Sequence, residues 1–323
     1  MSSLKKTANL IFPLALGVFL CWYAYRQFTP EQLSQIKNHF LSADYFYIIL
    51  SVAMGFASHI SRGMRWELLL QPMGYRTRTP NRIMAVFIGY LVNITIPRSG
   101  ELSRALVVNR YEGVPFDKAF GTIIAERMID MLLLLLFVLT AFVLQFDAIS
   151  HFLLGIIPFG KLIPLLAIVL VIGGLSVWWV YRSKHSFALK IKNLVSGLKE
   201  GILSVLKLKH RTAFILHTVF IWSMYFLMFY IAFFALPETS EIAFSTVITA
   251  FVVGSFAIAF TNGGFGSYPF FIAEILALFG ISLVAGTALG WIVWASQFVM
   301  TLVFGGMSFL LLPLYNKKFE NRE

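Results

Sequence analysis

The sequence predicts an all-α, polytopic integral membrane protein. Three observations carry that prediction. Of the 323 residues 59% are hydrophobic and only 13% are charged, against roughly 45–50% and about 25% in a soluble domain. Apolar runs near or above 18 residues recur along the whole chain, each long enough for a membrane helix. Phe is abundant at 33 copies, as a lipid-facing surface requires. An ordinary water-soluble enzyme and a disordered chain are both excluded. The single Cys21 excludes a disulfide framework and a thiolate metal cluster. The net charge of +11 reads as cytoplasmic loops of a membrane protein rather than as a nucleic-acid surface.

In chain order, the first long segment spans about residues 8–25. Lys5 and Lys6 precede it, and its exit, Cys21-Trp22-Tyr23-Ala24-Tyr25-Arg26, is bulky. A cleaved signal would have a shorter core and small residues at the cleavage site, so a retained helix is expected. Further long segments follow at about 44–61, 119–146, 161–181, 212–235 and 286–312, making six. Three shorter apolar stretches, 83–96, 243–260 and 270–283, are interrupted by Gly and Pro. A 14-residue helix spans only about 21 Å, less than the roughly 30 Å hydrocarbon core. These stretches therefore read as two broken, re-entrant helical hairpins.

Charge gives the orientation. Basic residues cluster at Lys5–Lys6, Arg62–Arg82, Arg98–Lys118, Arg182–Arg211 and Lys317–Arg322. The segment 182–211 holds eight Lys or Arg against one acid, Glu200. The loops near 27–43, 147–160 and 236–242 are almost free of basic residues. Placing every basic cluster in the cytoplasm makes 83–96 enter and return, and puts both termini and the 71–82 and 182–211 loops inside. The expected setting is a bacterial plasma membrane. A weak repeat fits this topology. Phe87-Ile88-Gly89-Tyr90 before Pro97-Arg98-Ser99-Gly100 matches Phe251-Val252-Val253-Gly254 before Asn262-Gly263-Gly264, about 164 residues later. The chain is then one membrane domain, 1–323, with inverted repeats at about 44–146 and 212–312. Chance similarity among apolar segments is the other reading.

Four constellations could bind a polar group. Ser61-Arg62-Gly63-Met64-Arg65-Trp66 reads either as a stop-transfer anchor or as a guanidinium pair, Arg62 and Arg65, that grips lipid phosphate. In Asn93-Ile94-Thr95-Ile96-Pro97-Arg98-Ser99-Gly100-Glu101-Leu102-Ser103-Arg104, Pro97 and Gly100 break a helix at membrane depth. The freed backbone groups need partners, so such a break lines a cavity or water. Arg98, Glu101 and Arg104 recur every three residues and share a face. Glu126-Arg127-Met128-Ile129-Asp130 lies inside an apolar run; Glu126 and Asp130 share a face, with Arg127 beside them. Ionisable residues there are functional by default, with a structural ion network as the alternative. The expected counter-charge comes from Arg98 or Arg104, gathering all six into one polar cluster. Fourth, Thr261-Asn262-Gly263-Gly264-Phe265-Gly266-Ser267 reads as an unwound membrane segment; it has no Lys for a nucleotide loop. Glu274 follows in an otherwise neutral stretch. The histidines His39, His59, His151, His185, His210 and His217 show no i,i+4 pairing, so no metal and no cofactor is expected.

At these residues the chain resembles the lysylphosphatidylglycerol synthase transmembrane (flippase) family. The resemblance rests on Arg62-Gly63-x-Arg65-Trp66, Gly89-Tyr90-x-x-Asn93-x-x-x-Pro97-Arg98-x-Gly100-Glu101-x-x-Arg104 and Glu126-Arg127-x-x-Asp130. The glycine motif, Gly263, Gly264 and Gly266, fits the family's second half. Better-known members translocate aminoacylated phospholipids and carry a soluble synthase domain. Here about ten residues follow the last apolar run, so aminoacyl transfer is not implied and no enzyme activity is expected. The family's Pro-Gly-Gly-x-Gly-x-x-Glu has Asn262 for its proline and Pro269 for its glutamate. The resemblance implies a lipid or lipid-linked flippase acting on a phosphate-containing headgroup, with membrane phospholipids as partners and no nucleic acid. A non-transporting partner or regulator of envelope lipid biosynthesis is the alternative. Self-association and contacts with envelope biosynthesis proteins stay open.

Overall fold

The computed structural model describes residues 3–97, 99–146, 174–176, 178–189, 191–192, 196, 205, 207–261 and 263–320. Among these there is no strand, in keeping with the all-α expectation. The chain divides into two compact units, residues 1–124 with 208–323, and residues 125–207.

Helix α1 (Ser3–Gln27) covers the first apolar run. Helix α2 (Pro30–Ser42) falls where the sequence reading placed a loop. Its start signal is nevertheless explicit. Thr29 and Gln32 form a reciprocal capping box, with Pro30 in the first turn. The helix has no apolar run because it buries no residue. Helix α3 (Tyr45–Leu70) begins where Asp44 accepts from the Phe46 N–H at 3.0 Å. It continues nine residues past the expected 61, since no Pro stops it before position 72. The Ser61–Trp66 motif therefore lies inside the helix rather than at its end.

Helices α4 (Thr79–Thr95) and α5 (Gly100–Glu112) flank the break at 96–99. Their arms are about 25 and 20 Å long at 1.5 Å per residue. The two pack side by side. Arg78 at the start of α4 pairs with Glu112 at the end of α5, N···O 2.9 Å, so the outer ends of the two helices meet. The expected hairpin is therefore present. Helix α6 (Phe116–Leu144) is long, carries Asp117 in its first turn, and is lined with exposed Leu135, Leu136, Leu139 and Val143.

After residue 207 come α7 (Arg211–Ala232), the short α8 (Pro237–Ser240), α9 (Phe244–Phe260), α10 (Ser267–Leu278) and α11 (Leu283–Glu320). The apolar stretch read as 270–283 is divided between α10 and α11 by Gly280-Ile281-Ser282. Helices α9 and α10 form the second hairpin, Gly254 on one arm lying against Tyr268 and Ile272 on the other. The expected segment 161–181 lies largely outside the described residues.

Among the described residues, α6, α7 and α11 are long and apolar enough to cross a membrane, and α2 with α3, bent by 72°, are together apolar enough for a broken span or a re-entrant loop. Helix α3 carries Arg62, Arg65 and Glu67, which hydropathy counts against it. The two arginines are 2% and 0% exposed, so their charge faces protein. A core of Trp66, Leu70, Ala85, Ala105, Val108, Val114, Ala119 and Ile123 joins α3, α4, α5 and the start of α6. Helix α11 is the spine. Gly286 and Gly290 let it approach the backbone of Ala273 and Pro269 on α10, and Gly305 lies on Phe87 and Leu91 of α4. Small residues at such spacing are how membrane helices pack closely.

Candidate functional site

The buried face of α3 carries Ser58, Ser61, Arg62, Arg65 and Trp66, recurring at three and four residues. It packs on α7, the most extensive helix pair among the described residues. The Arg62 Nη2 donates to the Tyr225 hydroxyl at 3.2 Å, and its guanidinium stands 5.7 Å from that ring. The Tyr225 hydroxyl meets the Tyr90 hydroxyl at 3.0 Å. The ring of His59 lies 4.2 Å from that of Tyr90. One turn on, Arg65 Nη1 donates to Thr218 Oγ1 at 2.9 Å, with its guanidinium 5.2 Å over Phe214. Ser61 Oγ and His217 Nδ1 are hydrogen-bonded at 2.8 Å. Both arginines thus have hydroxyl donors-acceptors and aromatic faces around them, an environment that suits a delocalised guanidinium more than an ammonium.

The first hairpin sets a third guanidinium against α3. Arg104 on α5 is 4% exposed and lies 4.5 Å over the ring of Trp66, the neighbour of Arg65. Trp66 is held by its Nε1, which donates to Thr122 Oγ1 at 2.8 Å. Gly89 makes room for Arg104: a Cβ there would meet the arginine Cγ at 2.8 Å and the Gly100 carbonyl at 2.9 Å. Asn93 spans the break, its Oδ1 accepting from the Gly100 N–H at 2.7 Å. Since Ser99 makes no side-chain cap, Asn93 caps α5 from the opposite arm. Gly100 is buried and Glu101 is half-buried in the first turn, while Pro97 ends the turn after α4. Arg98 and Asn262 lie outside the described residues.

Beneath this face is a second ring of pairs. Arg82, 3% exposed, bonds Glu67 Oε2 at 2.6 Å and donates from Nε to the Gly63 carbonyl at 3.1 Å. Asn81 and Asn316 exchange amide hydrogen bonds at 2.8 and 2.9 Å, and Asn81 also donates to Glu112.

Glu126, Arg127 and Asp130 belong to the other compact unit. Glu126 and Asp130 are buried, as their shared face requires, and Arg127 Nη2 lies 3.5 Å from Asp130 Oδ2. Arg127 and Asp130 stand at i and i+3 on the same helix.

The glycine segment is a sharp turn in which Gly263, Gly264 and Gly266 have φ of +64°, +78° and +70°. Its contacts are with α1 and α11 rather than with the arginine face. Trp294 Nε1 donates to the Gly263 carbonyl at 2.8 Å, and Gly266 abuts Gly17 and Cys21. Thr261 and Ser267 close the turn, their hydroxyls 2.6 Å apart. Among the described residues no group of His, Cys, Asp or Glu could hold a metal ion.

The partners Tyr90, His217, Thr218 and Tyr225 were not among the residues singled out from the sequence as site residues. Tyr90 had a signal, standing three residues before Asn93 on one helix. The α7 residues had none, since their role depends on which helix packs against α3.

A multi-pass helical membrane protein with two helix-break-helix hairpins and a buried arginine face is the class these observations define. The chain belongs to the family described as the lysylphosphatidylglycerol synthase TM region, which matches residues 10–305. It is 26% identical over 123 residues to the UPF0104 membrane protein MJ1595 of Methanocaldococcus jannaschii, covering 37% of this chain and 36% of that protein. It is 24% identical over 164 residues to the UPF0104 membrane protein PH1989 of Pyrococcus horikoshii, covering 50% and 47%. A third match, to the glycosyltransferase AglD of Haloferax volcanii, is 33% identical over 72 residues, 22% of this chain and 12% of that protein. The matched regions span less than half of each relative's length. No solved structure matches the chain.

Proposed function

We propose that the protein translocates a lipid or lipid-linked substrate, binding the phosphate of its headgroup, across a bacterial plasma membrane with both of its termini in the cytoplasm. The observation that carries this reading is the burial of three guanidinium groups beside a broken hairpin, Arg62 and Arg65 on α3 and Arg104 of α5 over Trp66 of α3. Cations placed at membrane depth are costly and are kept where they meet a substrate or its path. Guanidinium groups match a phosphate in a bidentate fork, and aromatic faces hold that fork ready. Family membership supports a lipid-related role. The chemistry is non-covalent: the protein is a carrier rather than an enzyme, works without a cofactor, and has membrane phospholipids as its partners. In this reading 44–146 and 212–312 are inverted repeats that supply the two alternating pathways a carrier needs.

The test is reconstitution of the whole chain into liposomes with a panel of labelled lipids: a phospholipid, an aminoacyl-lipid and an isoprenoid-linked sugar. At least one equilibrates faster than in protein-free vesicles, and Arg65→Ala removes the acceleration. If none does, while Arg65→Ala still abolishes function in cells, a non-transporting partner in envelope lipid biosynthesis replaces the carrier.

A further inference from the structure

A cavity of about 200 Å³ lies between α1, α2, α10 and α11, well away from the arginine face. Cys21, Tyr25, Phe28, Phe270 and Trp291 line it, together with one carboxylate, Glu274. Glu274 is the sole charged residue between Glu241 and Lys317. It is half-buried, and no described side chain forms an ion pair or hydrogen bond with it. The nearby cation Arg26 is turned onto Trp22, 5.5 Å from that ring.

The cavity and the arginine face lie at different levels of α11. Trp291 lines the cavity, whereas Phe304, 13 residues further on, packs on Phe56 and Phe87. At 1.5 Å per residue that is about 20 Å. Phe87 in turn packs on His59, three residues before Arg62. The two sites are therefore separate and bear opposite charge.

We infer that this cavity binds the ammonium group of an amphiphile, with Glu274 as its counter-ion. A carboxylate in an apolar wall asks for a cation. A hard metal ion takes six or more oxygen ligands with several carboxylates among them, and this lining offers one carboxylate, with the Gln27 amide and the Thr287 hydroxyl as its other side-chain oxygens besides the Tyr25 phenol. An anion is repelled. An organic ammonium fits both features: its charge meets Glu274, and its methylenes meet Tyr25, Phe28, Phe270 and Trp291, whose faces attract cations. The ammonium comes either from a membrane lipid of the ethanolamine type or from a free long-chain amine. This inference goes beyond the carrier reading and does not rest on it.

Cys21, the single cysteine of the chain, reports on the cavity it lines. The full chain is placed in nanodiscs of phosphatidylglycerol, and the rate of Cys21 modification by methyl methanethiosulfonate is followed by mass spectrometry. Dodecylamine slows the reaction in the wild type, while dodecanol at the same membrane concentration slows it far less. In Glu274→Gln the apparent affinity for dodecylamine falls about tenfold, as expected for 1.4 kcal/mol, and Glu274→Asp restores part of it. Replacing half the lipid by phosphatidylethanolamine identifies the source. Protection there assigns a lipid headgroup; protection by dodecylamine alone assigns a free amine. Equal protection by dodecanol and dodecylamine in the wild type overturns the inference without any variant, as does undiminished protection in Glu274→Gln. Loss of lipid translocation with the Cys21 protection intact would defeat the carrier reading and leave this site standing.

Discussion

Removing the carboxamide of Asn93 should open the tip of the first hairpin and leave the rest of the molecule in place. The Asn93 Oδ1 accepts from the Gly100 N–H at 2.7 Å, and Ser99 makes no cap of its own. Loss of a helix cap costs about 0.5–2 kcal/mol. Leaving a buried N–H without an acceptor costs about 1–3 kcal/mol, and the two ranges describe the same bond rather than adding. A local cost of about 1–3 kcal/mol raises the open population of the turn about 5- to 150-fold. Amide hydrogen exchange in nanodiscs reads this directly. In Asn93→Ala, the amides of residues 99–103 should exchange faster by that factor, with residues 85–89 and 105–108 unchanged. Asn93→Asp keeps an acceptor oxygen and should hold exchange close to the wild-type rate. Wild-type protection at 99–103 in Asn93→Ala would refute the cross-hairpin cap. Equal acceleration in Ala and Asp would show that the amide nitrogen, not the oxygen, matters.

The glycine turn gives a paired test. Gly263→Ala adds a Cβ with nothing within 4 Å, so its cost is the left-handed backbone alone, about 1–2 kcal/mol; Gly266→Ala adds that cost to a collision with the Gly17 backbone and should lower the melting temperature in detergent clearly more. Trp66→Phe loses the bond to Thr122 and part of the platform under Arg104, and a drop of about 1–3 kcal/mol is expected, read from chemical unfolding in mixed micelles. Topology is checked in a Cys21→Ser background with a membrane-impermeant thiol reagent added outside cells. Glu241→Cys should label and Arg76→Cys should not; the reverse pattern overturns the cytoplasmic assignment of the 71–82 loop.

Much of the fold was legible because membrane helices announce themselves by length and apolarity, and breaks by Pro and Gly. The break at Pro97 and Gly100 and the one at Gly263–Gly266 were both located that way. Helix α2 was missed because apolar runs were the guide, and a helix that buries nothing has none; its capping box was the readable sign. The end of α3 was misplaced for a related reason. Arg62 and Arg65 look like a membrane boundary when their burial is unknown, and burial is a property of the packed bundle. The site divides the same way. Arg62, Arg65 and Arg104 were identifiable as charges in apolar context. Asn93, grouped with them as a ligand-binding residue, is engaged in capping α5. Tyr225 and Thr218 carry no local pattern, because only the pairing of α3 with α7 brings them to the arginines.

The amide pair of Asn81 and Asn316 has a mechanical consequence. It ties the outer end of the α4 arm to α11, and Glu112 brings the end of α5 into the same knot. At the opposite end of the hairpin the Gly100 N–H donates to Asn93 Oδ1, the Ser99 hydroxyl donates to the Ile96 carbonyl, and Gly89 and Gly100 meet across the arms. The hairpin is thus a cantilever, clamped at its root by the amide pair and the Arg78–Glu112 ion pair. Deflection of such a beam is greatest at the free end, so a small rearrangement there moves the tip while the root keeps its register with the spine.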